Sequence, residues 1–313
     1  MTILKQFLLL VSQMIWVIVF APLITGVINK VKAILQARRG PRLLQPYYDI
    51  IKFFKKDAVF SHHISWITWV APYIVFATTL LSSLLLPLFN KGLVVNGDLL
   101  LFVYLLAIGR FFTALAALDT GSSFGGMGAS REMALNTVIE PAFLLAILAV
   151  IIHTGTTNFS GILMSLSEQN SAIFNFPYLL TMFAMLLVLL GETGRIPVDN
   201  VDTHLELTMI HEGMMLEYSG RYLSLMSFSS MIKQLLLISL FVLFFLPFWQ
   251  IEIVSGLTAL VSVGVFSIKI LLVAVLIAVI EMMYAKIRLY QVPRLFTTSM
   301  TISILAIIVN LLF

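Results

Sequence analysis

Residues 191–221, GETGRIPVDNVDTHLELTMIHEGMMLEYSGR, carry Glu192, Asp199, Asp202, Glu206, Glu212 and Glu217. The 313-residue chain is 60% hydrophobic and has only 15 Asp and Glu in all, so this concentration of carboxylates must be explained first. Carboxylates exchange protons and bind cations, and near lipid they mark ion paths, polar cavities or partner contacts. On a helical wheel of roughly 100° per residue, Glu192, Arg195, Asp202, Glu206 and Glu217 fall on the same face as Asp199, while Glu212 does not. Pro197 must interrupt or kink such a helix. A row of this kind suits a polar wall along an aqueous track, where neighbouring carboxylates raise one another's pKa and allow proton exchange near neutral pH. A solvated loop would also tolerate the acids, but Leu205, Ile210 and Met214 make the stretch too apolar for one.

Further charges lie inside apolar segments. Glu140 precedes Pro141, eight residues beyond Glu132, or about 12 Å along a helix. At that depth it needs a partner or a water cavity, and Arg110 in the preceding apolar run is the obvious partner. A buried Arg110–Glu140 pair that only fixes helix packing is the competing reading. Glu281 and Lys269 share one run but are twelve residues apart, which is about 120° round a helix, so each needs a partner elsewhere. Arg38 and Arg39 beside the Gly40-Pro41 turn suit a carboxylate-bearing partner or an anionic headgroup. With no cysteine, the chain cannot hold an iron–sulfur cluster through thiolates, nor a thiol nucleophile. His204 and His211 share a helical face but lack a third ligand nearby, so capping or interfacial roles are expected over a metal site.

The elements that must position these groups are membrane spans. Apolar runs of about 20 residues recur at 7–28, 67–89, 98–118, 134–154, 175–191, 234–251, 264–285 and 295–313, giving about eight transmembrane helices in a single integral membrane domain. Mean hydropathy is +1.04. The first run is too long for a signal peptide and is read as a retained helix. Of the 19 Lys and Arg, fifteen fall in the first, third, fifth and seventh connections. That bias puts those connections in the cytoplasm and both termini on the opposite side. It also accounts for the pI of 9.3 without nucleic-acid binding. Residues 43–56 alternate Leu43, Leu44, Tyr47, Ile50, Ile51, Phe53 and Phe54 with Asp49, Lys52, Lys55 and Lys56, the pattern of an amphipathic helix lying on the membrane. The stretch LDTGSSFGGMGASREMALN has neither a preceding strand nor a GK[ST] and is no phosphate loop. It reads as a tight glycine loop, with Ser130 capping a helix that begins at Arg131 and Glu132.

ARRGPRLLQPYYDIIKFFKKD, LDTGSSFGGMGASRE, GETGRIPVD and LEYSG, in this order among eight spans, resemble the H subunit of respiratory complex I. They are closer still to the membrane subunit of energy-converting membrane-bound [NiFe]-hydrogenases. RRGP runs directly into RLLQP, and the stretch from Glu192 to EYSG is longer than in complex I. Both departures favour the hydrogenase branch over a quinone substrate. The resemblance implies a multi-pass subunit of the prokaryotic cytoplasmic membrane that belongs to a redox-driven ion-translocating oxidoreductase. This chain would carry no bound redox cofactor, with the [NiFe] centre and iron–sulfur clusters in peripheral large and small subunits, and antiporter-like membrane subunits as further partners. Glu192, Arg195, Asp199, Asp202, Glu206 and Glu217 would line the link from the peripheral arm to the membrane ion path. Glu140 would continue it, with Arg131 and Glu132 at its mouth and with Arg110 and Glu281 among its charges. Arg38, Arg39, Gln45 and Asp49 would meet the peripheral arm or border a quinone-like cavity. The alternatives are a quinone-chamber subunit of an NADH-quinone oxidoreductase and, in another class, an autonomous secondary transporter, against which stand the absence of an internal repeat and the one-sided acids.

Overall fold

A computed structural model describes residues 3–61, 64–88, 97–168, 175–199, 210–247 and 256–312. Among these residues the chain is helical, and its one strand-like pairing is the bridge between Asp98 and Asn158. The helices are α1 (Ile3–Leu35), α2 (Gln45–Phe54), α3 (Trp66–Leu85), α4 (Leu99–Asp119), α5 (Ser123–Thr154), α6 (Phe159–Glu168), α7 (Phe176–Glu192), α8 (Gly220–Phe245), α9 (Gly256–Met283) and α10 (Val292–Leu312). Seven of the described helices are long and apolar enough to cross a membrane. The eighth expected span is α7, apolar but only 17 residues, which rises about 25 Å.

Helix α8 is the axis of the bundle. Most of its apolar window is buried, 78% against 22% for α10, and Leu235, Leu236 and Ile238 have no exposed surface. Helix α8 packs against α1, α2, α3, α7 and α9. Phe102, Phe143, Phe159, Phe244, Phe245 and Phe296 fill the interior. Helix α2 starts with Pro46 in its first turn, where a missing N–H costs nothing. It buries Ile50 and exposes Tyr48, Ile51, Phe54, Lys52 and Lys55, so its apolar residues face both the bundle and the surroundings, as an interfacial helix requires.

The odd-numbered connections gather on one side. Ser219 Oγ accepts the Val59 N–H at 2.8 Å, Tyr218 donates to Thr68 O at 3.0 Å, and Asp119 accepts from Ser65 N at 3.0 Å. The Ile287 N–H reaches Pro197 O at 3.0 Å.

Two boundaries differ from expectation. The glycine stretch is not a loop: α5 starts at Ser123, with the Ser122 hydroxyl accepting from Gly125 N at 3.1 Å. Ser130 caps nothing and donates to Met127 O at 3.0 Å inside the helix. Glycine serves here for proximity, because a Cβ on Gly128 would lie 3.1 Å from backbone atoms of Ile210, Gly213 and Met214. The span expected at 234–251 is α8, which begins at Gly220. Lys233 misplaced that boundary, because an interior lysine with a buried counter-ion reads like a loop residue.

Candidate functional site

Helices α4, α5, α7 and α8 bring their few polar side chains to one place. Arg110, midway along α4, places Nη2 2.9 Å from Glu140 Oε1, and its Nη1 contacts Glu192 Oε1. Lys233 Nζ holds the other Glu192 oxygen at 3.0 Å. Glu192 is the last residue of α7 and is buried. From α5, Asn136 Nδ2 donates to Glu132 Oε1 at 3.3 Å, and the same oxygen lies 3.3 Å from His211 Nε2. Glu140 is the one carboxylate of this group that reaches the outer surface, with 42% of its side chain exposed.

A second group adjoins it. Arg195 Nη2 donates to Gln234 Oε1 at 3.0 Å, which also accepts from Thr25 Oγ1 at 3.2 Å. Arg195 Nε lies 3.4 Å from Glu281 Oε1, and Lys32 Nζ lies 2.9 Å from Glu281 Oε2. Lys233 and Gln234, consecutive on α8, join the two groups. Asp199 pairs with Lys286 at 2.9 Å and accepts the backbone N–H groups of Ile210 at 3.2 Å and His211 at 3.4 Å. Between the groups lies a cavity of about 280 Å³ with two kinds of wall. Arg110, Glu132, Glu192, Arg195, Lys233 and Gln234 make the polar one, and Met214, Met215, Met226 and Met231 the apolar one. Lys32, Arg110, Arg195 and Lys233 alternate with Glu140, Glu192 and Glu281, so these ions are matched, the condition under which burial is tolerated.

The single-face helix expected for the acidic stretch does not form. Helix α7 stops at Glu192, Gly194 turns the chain at φ +59°, and a short 3-10 helix occupies Glu212–Met215. Gly194 is required twice over, since a Cβ there would also stand 2.9 Å from His211 Nδ1. Glu192 and Asp199 are thus brought to different cations, and carboxylate–cation pairs replace the expected row of mutually repelling carboxylates. Glu217 is exposed and stands apart from the face assigned to it. Asp202, Glu206 and His204 lie outside the described residues. Arg110 pairs with Glu140 as expected, and Glu281 finds partners on α1 and the 193–199 turn. Lys269 donates to Leu246 O at 3.0 Å. Arg38 and Arg39 are exposed, and Gln45 donates to Asp49 at 2.9 Å within α2. Arg131 is partly buried on α5, with Nη2 3.5 Å from Met127 Sδ. Sequence reasoning missed Lys32, Asn136, His211, Lys233, Gln234 and Lys286 as members of the site. Lys233-Gln234 at the very start of the apolar run expected from 234 was the available signal.

A family model described as NADH dehydrogenase matches residues 7–311. The chain belongs to this family. It is 36% identical over 275 residues to hydrogenase-4 component C of Escherichia coli (strain K12), covering 86% of this chain and 85% of that one. It is 34% identical over 277 residues to formate hydrogenlyase subunit 4 of the same strain, covering 88% and 89%. The H subunit of the NADH-quinone oxidoreductase of Wolbachia pipientis wMel is 28% identical over 248 residues, covering 71% and 70%. The family fold recurs in the solved structure of the membrane-bound sulfane sulfur reductase, an archaeal respiratory membrane complex. The match there has a TM-score of 0.82 at 24% identity and covers 98% of this chain and 99% of that one.

Proposed function

We propose that this chain is the membrane subunit that couples electron transfer in a peripheral redox module to proton or sodium movement, in a membrane-bound hydrogenase-like complex. One observation carries the reading: a buried, alternately charged network around a cavity, in a chain 36% identical to hydrogenase-4 component C. Fixed cations hold the carboxylates of Glu140, Glu192 and Glu281, while His211 and Asn136 hold Glu132. When one cation swings away, the carboxylate it leaves takes up a proton or a cation, which passes to the next carboxylate as its own partner shifts. Asp199 and Lys286 stand where a peripheral subunit would act on this balance. Glu140, reaching the surface of α5, stands where an antiporter-like membrane subunit would receive the ion. The redox centres, a [NiFe] site and iron–sulfur clusters, belong to the partner chains on this reading. The odd-numbered connections then face the cytoplasm of a prokaryotic cell, with Arg38, Arg39, Gln45 and Asp49 at the peripheral arm.

The assembled complex in sealed vesicles tests this. Glu140→Gln and Glu192→Gln each leave Arg110 the other carboxylate as partner, so both should assemble and keep redox turnover with an artificial electron carrier, while proton or sodium uptake per electron falls about tenfold or more. Wild-type uptake in both variants would sink the proposal and leave the chain an anchor. Uptake by this chain alone, without redox partners, would favour an autonomous transporter.

The methionine wall favours a second reading, a chamber for a quinone ring, as the likeness to the H subunit of an NADH-quinone oxidoreductase suggests. Polarizable thioethers pack well against flat rings, and Met214, Met215, Met226 and Met231 would hold such a ring, which would supply two-electron redox chemistry when bound. A short-chain quinone should then raise the thermal unfolding midpoint of wild type and not of Met226→Ala. An unchanged midpoint in wild type discards this reading.

A further inference from the structure

His211 joins two parts of the charged network. Its ring nitrogen Nε2 lies 3.3 Å from Glu132 Oε1 on α5, and its backbone N–H is held by Asp199 at 3.4 Å. Asp199 in turn pairs with Lys286 at 2.9 Å, at the edge of the 193–199 turn. The ring is wedged against Gly194, whose Cβ position would stand 2.9 Å from Nδ1. Nδ1 itself is buried without a hydrogen-bond partner among the described residues. The side chain is 31% exposed, against 5% for Glu132. The ring therefore stands between the outside and a carboxylate deep in the cavity wall. The backbone of His211 is tied to the turn that carries Asp199.

We infer that His211 is the proton-carrying residue that loads Glu132, at the entrance of the network from the side of the odd-numbered connections. Resting on the coupling reading above, this names the residue through which the proton enters. Histidine alone among side chains ordinarily changes charge between about pH 5 and 8. The imidazolium donates its Nε2 proton to Glu132 Oε1. This leaves a neutral ring, its remaining proton on the buried Nδ1, and a neutral carboxyl, and the ring is recharged at Nε2 from the cavity it lines. The groups around it set the direction of transfer. Glu132 faces it from α5, Asp199 with Lys286 holds its backbone, and Glu212 follows it in the chain. Arg110, Glu192 and Lys233 line the same cavity from α4, α7 and α8. Loss of a proton to Glu132 weakens the carboxylate's hold on His211, so a shift of Asp199 on Lys286 and a transfer at Glu132 are felt at one ring.

The test uses the assembled complex in sealed vesicles, with redox turnover by an artificial electron carrier as the control and ion uptake per electron read from pH 5 to 8. His211→Gln keeps a hydrogen-bonding group of similar reach but cannot titrate. It should assemble, keep redox turnover and lose uptake about tenfold or more, with a pH profile from 5 to 8 that departs from that of wild type. His211→Ala should lose uptake likewise and regain it with millimolar added imidazole, which the cavity has room to admit. A wild-type pH profile in His211→Gln overturns the inference, and so does loss in His211→Ala that imidazole leaves unrestored, since that is the mark of a structural role. Glu192→Gln separates the two proposals. If it abolishes uptake while His211→Gln does not, coupling stands and His211 falls; if neither changes uptake, both fall.

Discussion

Glu281 has no exposed side-chain surface and two cations on it, Lys32 and Arg195. Removing one member of a buried ion pair leaves an uncompensated charge and costs about 3–5 kcal/mol. Glu281→Gln is accordingly expected to lower the thermal unfolding midpoint of the purified chain clearly, whereas the exposed Glu217→Gln should leave it unchanged. Tyr218, outside the spans, gives a prediction in pH. Burial, with the Asp119 charge adding, pushes its phenol up from 10.0. The folded state thus favours the neutral ring. Its contribution to stability is complete below about pH 10 and is lost as pH rises beyond, where the unfolded phenol ionises first. Alkaline unfolding curves should show that loss in wild type and less of it in Tyr218→Phe, which also gives up the bond to Thr68, worth about 1 kcal/mol. At this scale the sequence was informative where a charge had no excuse. Arg110, Glu140 and Glu281 sit inside apolar runs and so demanded partners. Lys32, Lys233 and Lys286 lie near run ends, where lysine ordinarily reports orientation. The long lysine stem lets one residue start near an interface and end in the core.

Helix α5 begins a full three turns before its apolar run does. Among the glycines of its first turns, Gly128 lies against the backbone of Ile210, Gly213 and Met214, and Gly125 against Ala117 O. Gly128→Val should push the 210–215 segment away, seen as faster hydrogen exchange there with α5 itself still protected. Ser122→Ala, which removes only the cap, should cost about 1 kcal/mol and leave that segment in place. Gly194→Ala meets both a positive φ and the His211 ring, so it should weaken ion uptake as well as stability. These boundaries were hidden because composition alone cannot tell a glycine that bends the chain from one that admits a neighbour. The acidic stretch misled for a related reason. Helical phase is a sound guide only while the helix continues, and Gly194 ends it two residues after Glu192. What phase had assigned to one face, tertiary contacts divide among Arg110, Lys233 and Lys286.

For the whole molecule, the pattern of eight apolar runs and the one-sided lysines and arginines describes a bundle whose odd-numbered connections touch one another, as Ser219 with Val59 and Ile287 with Pro197 do. The natural absence of cysteine makes the orientation easy to check. Lys55→Cys and Glu217→Cys should react with a membrane-impermeant maleimide from the cytoplasmic side only, and Thr156→Cys from the opposite side only. Same-side labelling of Glu217→Cys and Thr156→Cys would refute the topology. The Lys32–Glu281–Arg195 cluster has a further consequence, for descent. A lineage that loses Glu281 alone strands two buried cations, and one that loses Lys32 alone leaves Arg195, at 3.4 Å, as the remaining match for a buried carboxylate. Exchanging ions for apolar residues together is far less costly than exchanging them singly. These three positions should therefore drift as a block across relatives, so that a chain found with methionine at one of them will carry a change at another.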